Sequence, residues 1–377
     1  MTAPPPPAGG RSGRDQPGLY LPGAVAAGGV VKPILPELMT DPGTGLDFET
    51  RLDRLPGFLT PVDRFYIRSH APTPLIDAES WRLTVDGSGV RQPVIYTYGD
   101  VCELPQISVV RTIECAGNRR VFFGQACERT FEGTQWGPGA IGTAEWTGVR
   151  LRDLLAPAGI TPDAREVMPE GLDGRGRRPM PLAKALADDT LLAVAMNGEV
   201  LPPDHGYPAR VVVSGWLGAA SIKWVGRITV SNEPLQVPWN TEDYVIISPE
   251  HPPADRAAGE PITEIPVSSL VELPWPASLS SGGQVIRGRA YAGQARVKRV
   301  AYSIDAGPWQ DATLLPPNVP AAWVRWQFHW EPVPGDHELR VRATDDRGRS
   351  QPDTVPCNDL GYGYNAVLSH PLHVSGP

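Results

Sequence analysis

Cys115 lies where a metal-binding thiolate would be placed. Residues 107–113 form an apolar segment typical of a β-strand, and the cysteine follows it almost directly. Small residues then predict a turn, and Arg119 and Arg120 come after it. Neighbouring guanidinium groups favour the thiolate, which is the form that ligates a metal. The same pattern also fits a buried cysteine that only fills space, because most lone cysteines do so.

Other stretches combine basic and aromatic residues beside predicted strands. Residues 205–210 read HGYPAR and lead into a valine-rich segment, and residues 215–224 read GWLGAASIKW. Residues 65–72, upstream of the cysteine, read FYIRSHAP. Taken singly, these histidines could be core residues and these cations could be surface charges. Their occurrence together and in this order is much more specific than any one of them.

In this order, the stretches resemble the molybdopterin-binding domain of the sulfite oxidase family. Residues 65–72 resemble a family segment reading roughly F-V-R-N-H-x-P. Residues 239–244 and the loop after them resemble the segment with the family's active-site tyrosine. Residues 351–355, QPDTV, resemble its immunoglobulin-like dimerisation domain. The resemblance runs from about residue 45 to the end of the chain.

The resemblance implies roles at the matching positions. Cys115 would be the protein sulfur on the metal of a Mo-molybdopterin cofactor. Arg68 and Arg120 would form the anion pocket beside it. Tyr244 would form a hydrogen bond near the oxo group, and Trp136 would form a wall of the pocket. The pterin and its phosphate would be held by Tyr66, Ile67, Arg68, Ser69, His70, Asp173, His205, Arg210, Ser221, Ile222 and Lys223.

The implied reaction is oxidation of sulfite to sulfate by oxygen-atom transfer at molybdenum. Neither a CxxCH motif nor a preceding cytochrome domain is found in the sequence, so no haem is expected in this chain. The electrons would then pass to a separate acceptor, such as a cytochrome.

One departure from the family concerns an arginine near the C-terminus. Animal and plant members carry it in a segment like W-N-L-R-G, whereas residues 357–366 read CNDLGYGYNA, with Leu360 or a neighbour at its position. The missing charge leaves a methionine sulfoxide-type reductase as an alternative, although such reductases typically lack a β-sandwich. A nitrate reductase is disfavoured because the attached haem and flavin domains are missing. A non-catalytic β-sandwich binding module is a further alternative, and it predicts that Cys115→Ser is tolerated.

Composition limits the class of protein. The chain has 377 residues, which favours two domains, and 41% hydrophobic residues, which is ordinary for a globular protein. A net charge of −8 gives no reason to expect nucleic-acid binding, and no apolar run is long enough to cross a membrane. The N-terminus shows no signal peptide, which predicts a cytoplasmic protein, or a periplasmic one if a signal was removed. The four cysteines form no CxxC pair, so reduced thiols are expected rather than disulfides or zinc.

The hydropathy pattern divides the chain into four segments. Residues 1–40 are rich in Pro, Gly and Ala and predict a flexible or surface-wrapping arm. Residues 41–250 predict an α+β molybdopterin-binding catalytic domain, with strands at 81–85 and 210–213 and short helices at 151–155 and 182–186. Residues 251–261 predict a linker, since the stretch around them contains four prolines.

Residues 262–377 predict an all-β immunoglobulin-like sandwich. Val324, Trp326, Phe328 and Trp330 alternate with polar residues, and so do residues 339, 341 and 343. This period of two buries one face of each strand and exposes the other. A sandwich of this kind is expected to pair two subunits in a homodimer.

Overall fold

The computed structural model describes residues 24–253 and 257–376. Short strands and very short helices make up the part before residue 250, since its many glycines and prolines interrupt longer elements. The strands are β1 (Met39–Thr40), β2 (Glu49–Thr50), β3 (Arg82–Asp86), β4 (Val94–Thr97), β5 (Gln106–Glu114), β6 (Ile141–Arg150), β7 (Glu166–Gly171), β8 (Met180–Pro181), β9 (Thr190–Met196), β10 (Glu199–Val200), β11 (Arg210–Val213), β12 (Val225–Ser231) and β13 (Val245–Ile246). The helices are α1 (Tyr98–Glu103), α2 (Arg120–Ala126), α3 (Leu151–Leu155), α4 (Leu182–Ala185) and α5 (Pro238–Thr241). The predicted strands at 81–85 and 210–213 and both predicted helices are confirmed to within a residue or two.

Two five-stranded sheets form the body of this first domain. One has the order β10–β9–β6–β5, with β11 also paired to β9, and the other has the order β4–β3–β12–β7–β8. The first sheet is buried on both faces, because Val211 and Val213 of β11 pack into one core and Val212 packs into another. Neighbouring residues of a strand point to opposite faces, so an unbroken run of valines suits a strand covered on both sides.

The second domain is a sandwich of two antiparallel-rich sheets. Its strands are β14 (Glu260–Pro261), β15 (Ser268–Val271), β16 (Ala277–Ser280), β17 (Gln284–Tyr291), β18 (Val297–Ile304), β19 (Gln310–Asp311), β20 (Thr313–Leu315), β21 (Val324–Trp330), β22 (Gly335–Asp345) and β23 (Ser369–Ser375). One sheet has the order β15–β17–β21–β20 and the other has the order β16–β23–β22–β18–β19. Trp326 and Phe328 of β21 share a core with Leu339 and Val341 of β22, which joins the two sheets face to face. The predicted alternation is confirmed.

The described part of the predicted arm, residues 24–40, packs on the first domain. The Ala26 N–H donates to the carbonyl of Thr73 at 2.8 Å, and the Val31 N–H donates to the Asp204 carboxylate at 3.0 Å. Met39 in β1 is buried. This segment therefore wraps the surface of the domain and is not a free chain. Residues 1–23 of the predicted arm lie outside the described residues.

The connection between the domains is partly a β-ladder. Residues 260–261, at the end of the predicted linker, form β14, which pairs with β13. Residues 254–256 of the same segment lie outside the described residues. Among the described residues, no helix is long and apolar enough to cross a membrane.

Cys127 and Cys357 form a disulfide that joins the two domains. The prediction that every cysteine is a reduced thiol is wrong for this pair, whereas Cys102 and Cys115 are free. The two bonded cysteines are 230 positions apart in sequence, and their Cα atoms lie 6.0 Å apart. Spacing rules detect only neighbouring cysteines, so the fold alone could reveal this pairing.

Candidate functional site

The turn after β5 holds Cys115 between two strands. Its N–H donates to the carbonyl of Ala140 at 2.9 Å, and its own carbonyl accepts from the Asn118 N–H at 3.0 Å. Gly117 leaves room for the Arg120 guanidinium, because a Cβ atom at this position would lie 2.8 Å from the guanidinium carbon and would displace that side chain. The small residues after the cysteine therefore let the first residue of α2 fold back over the turn.

The two arginines after the cysteine point to different partners. Arg119 is almost fully buried between the domains, where it forms an ion pair of 3.4 Å with Glu114 and a hydrogen bond with the Tyr291 hydroxyl. Arg120 donates to the carbonyls of Thr134 at 2.9 Å and Leu360 at 3.3 Å. Arg119 thus belongs to the domain interface, and only Arg120 stays beside the turn.

The free thiol of Cys115 has a pKa above its usual value. Burial raises it, and the positive charges of Arg68 and Arg120 only partly oppose that effect. The arginines act in the predicted direction, because their charge favours the thiolate, but burial of the side chain outweighs them in the free protein. Binding of a soft metal cation would have to displace the proton, which is the ordinary route to a metal thiolate.

A cavity next to Cys115 brings together all the predicted cofactor-binding residues except Ile67. It is lined by Phe65, Tyr66, Arg68, Ser69, His70, Ile113, Cys115, Ala116, Asp173, Gly176, Asp204, His205, Arg210, Gly218, Ala219, Ser221, Ile222, Lys223, Trp224, Trp239 and Tyr244. Ile67 instead packs against Met39 and Phe48. The residues that line the cavity come from five separate stretches of the sequence, 65–70, 113–116, 173–176, 204–224 and 239–244, so the folded domain has gathered them at one place.

Two buried cations in the cavity are held mainly by uncharged acceptors. Arg210 donates to the carbonyls of His205 at 3.1 Å and Ser221 at 3.0 Å, while its buried Nε has no hydrogen-bond partner. Lys223 donates to Ser69 Oγ at 2.8 Å and to the carbonyl of Asp204 at 2.9 Å. Among the described residues, neither cation forms an ion pair with a carboxylate.

Burial makes both charges costly. It lowers the pKa of Arg210 to about 10 and the pKa of Lys223 to about 7. A buried cation without a counter-ion is stabilised by an anion bound beside it. The cavity is therefore suited to an anionic ligand.

Arg68 and Asp173 are held by local contacts. Arg68 forms an ion pair of 3.2 Å with the buried Asp47, whose carboxylate also accepts from the Ser69 N–H at 3.0 Å. Asp173 accepts from the N–H groups of Arg175 at 3.1 Å and Gly176 at 2.9 Å. Asp173 therefore both lines the cavity and closes a turn of its glycine-rich loop.

Aromatic residues cover one side of the cavity. The Tyr244 hydroxyl lies 2.9 Å from His70 Nε2, and the Tyr244 ring meets the edge of Trp239 at 5.2 Å between centroids. Tyr362 stacks on Tyr244 at 5.5 Å, and the Arg120 guanidinium carbon lies 5.1 Å from the Tyr362 centroid. The C-terminal segment therefore reaches the predicted anion pocket through an aromatic side chain.

Trp136 and Arg120 do not line the cavity. Trp136 is fully buried and meets the ring of Tyr66 edge-on at 6.5 Å. It lies one layer behind the cavity wall. Both residues can influence the site through Tyr66 and Tyr362, and their predicted roles stay predictions.

Comparison with known proteins decides the family. Residues 70–239 match the family described as oxidoreductase molybdopterin binding domain. The chain is 38% identical to sulfite oxidase of Gallus gallus over 319 residues, which are 79% of this chain and 69% of that protein. It is also 38% identical to mitochondrial sulfite oxidase of Homo sapiens over 338 residues, which are 84% of this chain and 61% of that protein. The crystal structure of the sulfane dehydrogenase SoxCD from Paracoccus pantotrophus matches with a TM-score of 0.80 at 29% identity, covering 92% of this chain and 91% of that chain. This chain belongs to the sulfite oxidase family of molybdopterin oxidoreductases.

The family assignment confirms the predicted fold class. An α+β molybdopterin-binding domain precedes an immunoglobulin-like β-sandwich in this sulfite oxidase family member. The chain spans 61% of the length of the mammalian sulfite oxidases it matches.

Several residues of this site were missed from the sequence. Asp204 and Trp239 line the cavity, and Tyr362 stacks on one of its walls. Asp204 directly precedes a predicted cofactor residue, so proximity to HGYPAR was a signal for it. Tyr362 had no such signal, because it comes from the other domain.

Proposed function

We propose that this chain binds a Mo-molybdopterin cofactor and oxidises sulfite to sulfate, with the electrons passing to a separate acceptor. The observation that carries the proposal is the cavity that combines the sulfur of Cys115 with the buried cations Arg210 and Lys223. A molybdenum cofactor supplies a soft metal for the thiolate, a phosphate for the cations and two-electron oxygen-atom transfer. The unpartnered Nε of Arg210 fits this donor set, since it lacks an acceptor in the protein.

The remaining side chains would bind and orient the two anions. His205, Arg210, Ser221 and Lys223 would hold the cofactor phosphate, and Asp173 and the 66–70 segment would hold the pterin. Arg68 would hold the oxyanion, because it lines the cavity and stays charged: burial opposes its charge, but its surroundings, which include Asp47, raise its pKa by more. Cys115 would be the protein ligand of the metal.

Tyr244 and His70 would act as a pair. Burial and the charge of Arg68 lower the pKa of His70 to about 2, so its ring stays neutral. In the proposed arrangement the ring donates its Nε2 proton to the Tyr244 oxygen at 2.9 Å. The tyrosine proton is then available to an oxyanion. Trp239 and Tyr362 restrict the access of water, which strengthens these contacts.

A second candidate substrate is a less charged sulfur compound. Two carbonyl groups already engage Arg120, and Leu360 or a neighbour occupies the position of the missing C-terminal arginine. This weaker anion pocket favours a sulfane or sulfoxide sulfur over a dianion. The structural relative named as a sulfane dehydrogenase is consistent with that candidate.

Partners and compartment are part of the proposal. A cytochrome or another separate carrier would receive the electrons. The sandwich is proposed to pair two copies in a homodimer, which light scattering would detect as twice the mass of 40.7 kDa. The disulfide favours an oxidising compartment such as the periplasm over the cytoplasm.

The decisive experiment measures molybdenum in the purified protein and follows ferricyanide reduction with sulfite and with a sulfane donor. Molybdenum near one per chain with sulfite-dependent turnover would support the main proposal. Turnover with the sulfane donor alone would favour the second candidate. A protein free of molybdenum, purified from a host that makes the cofactor, would refute both.

A further inference from the structure

Lys32 reaches from the N-terminal segment to the wall of the cofactor cavity. Its backbone is fixed, because its N–H donates to the Asp204 carboxylate at 2.6 Å. The Thr73 hydroxyl and the Val31 N–H donate to the same carboxylate. Lys32 does not line the cavity, but its ammonium contacts His205, which does. The N-terminal segment thus places the Lys32 ammonium against His205, one of the proposed cofactor-binding residues.

The ammonium group of Lys32 has three acceptors within hydrogen-bonding distance. Its Nζ lies 3.0 Å from the carbonyl of Val62, 2.7 Å from the carbonyl of Phe65 and 3.2 Å from Nε2 of His205. An ammonium carries three N–H donors and accepts no hydrogen bond. All three donors are therefore satisfied only if Nε2 of His205 acts as an acceptor.

This contact determines the tautomer of a neutral histidine. Burial and the surrounding cations Lys32, Lys223 and Arg210 lower the pKa of His205 well below its usual value, so the ring carries one proton. If Nε2 accepts from Lys32, that proton is on Nδ1. Without Lys32, Nε2 loses this donor and is free to carry the proton, which is the tautomer that a neutral histidine side chain favours in water.

We infer that Lys32 is a positioning residue that keeps the His205 proton on Nδ1 and so gives the ring a donor for an anionic acceptor of the bound cofactor. The inference rests on the proposed function, since it assigns a task to one residue of the proposed cofactor site. A ring with a lone pair on Nδ1 would repel a phosphate or pterin oxygen instead of binding it. A hydrogen bond to the outer nitrogen of a functional histidine commonly sets its tautomer in this way.

The test is long-range 1H–15N correlation NMR of ¹⁵N-histidine-labelled, cofactor-loaded protein at pH 6. Burial lowers the pKa of Lys32 to about 7, opposed by Asp204 and Asp63, so at pH 6 the ammonium form predominates. We expect the His205 proton on Nδ1 in the wild type and on Nε2 in Lys32→Met. Lys32→Arg, which also only donates, should keep the wild-type tautomer.

Cofactor retention gives a second readout. Molybdenum and pterin content after dialysis should fall about tenfold in Lys32→Met, because the variant loses the hydrogen bond from Lys32 that orients His205. Lys184→Met is the matched control, because Lys184 is a partly buried lysine whose ammonium donates to the carbonyl of Ser214 away from the cavity. Its cofactor content should stay at the wild-type value.

Two results would overturn the inference. One is a wild-type His205 with its proton on Nε2, and the other is an unchanged tautomer in Lys32→Met. Wild-type protein that holds a cofactor but does not oxidise sulfite would count against the proposed substrate only. The tautomer is read without turnover, so the two failures are distinguishable.

Discussion

The Nη2 atom of Arg120 donates a hydrogen bond of 3.3 Å to the carbonyl oxygen of Leu360. Arg120 begins α2, the helix after the turn at Cys115. Leu360 belongs to the C-terminal segment, which aligns with the family segment whose arginine this chain lacks. That segment therefore does reach the site, but it contributes a carbonyl and the ring of Tyr362 where relatives place a charge. Both domains therefore place groups beside Arg120.

Replacing Cys115 tests the metal site. Cys115→Ser should lower turnover at least about 100-fold, because an oxygen donor in place of the thiolate changes the electron density at the metal. The free energy of unfolding of the apoprotein should change by no more than about 1 kcal/mol, since serine is nearly isosteric. Cys102→Ser, at an exposed free cysteine, is the control and should leave turnover unchanged. Full activity in Cys115→Ser would eliminate the proposed ligand.

The disulfide should stabilise the protein and the anion pocket together. The double variant Cys127→Ser/Cys357→Ser should lose about 2–4 kcal/mol of unfolding free energy, as measured by denaturant titration. The KM for substrate should also rise, since the segment that begins at residue 358 supplies the carbonyl for Arg120.

Alkylation of the unfolded protein checks the pairing directly. Without reductant, two cysteines should react, and with reductant all four should react. Four reactive cysteines before reduction would show that the bond does not form.

Tyr362 should influence substrate binding through its ring. Tyr362→Ala removes the surface that stacks on Tyr244 and contacts the Arg120 guanidinium, so we expect a rise in KM of about tenfold, or about 1.4 kcal/mol. The kcat should change less, because Cys115 is left in place. Tyr362→Phe keeps the ring and should stay within about twofold of the wild type. A KM for Tyr362→Ala equal to that of the wild type would show that the ring is not part of the pocket.

Glu49 should make stability depend on pH. Burial raises its pKa to about 7, despite the hydrogen bond of 3.1 Å that its Oε2 accepts from the Gly139 N–H. The unfolded chain loses this proton near pH 4.5, so the contribution of the group is greatest below that pH and is lost as the pH rises through 7. Glu49→Gln removes this dependence. The unfolding free energy of Glu49→Gln minus that of the wild type should be about 2 kcal/mol more positive at pH 8 than at pH 5. Thermal or denaturant unfolding at both pH values measures the difference, and equal differences at the two pH values would contradict the raised pKa.

Local patterns in the sequence predicted most elements and most of the cavity. The alternation along Val324–Trp330 identified a half-buried strand, and the motifs around Cys115 and His205 identified residues that meet in one cavity. These predictions succeeded because side-chain periodicity and turn chemistry act over a few residues. Ile67, Arg120 and Trp136 lie outside the cavity lining, because a position in a motif gives no information on which way a side chain points.

Contacts between distant segments were decided only by the tertiary structure. Asp204 binds the N-terminal segment across 172 positions, the disulfide spans 230 positions, and Arg119 turns away from its neighbour Arg120 into the domain interface. The pKa of Cys115 likewise depended on burial, which outweighs the nearby charges that the sequence makes visible. The sequence by itself determined which chemical groups are available and the local elements that carry them. Their partners, burial and charge states were decided by the packing of the two domains, because those quantities depend on distances through space and not on spacing along the chain.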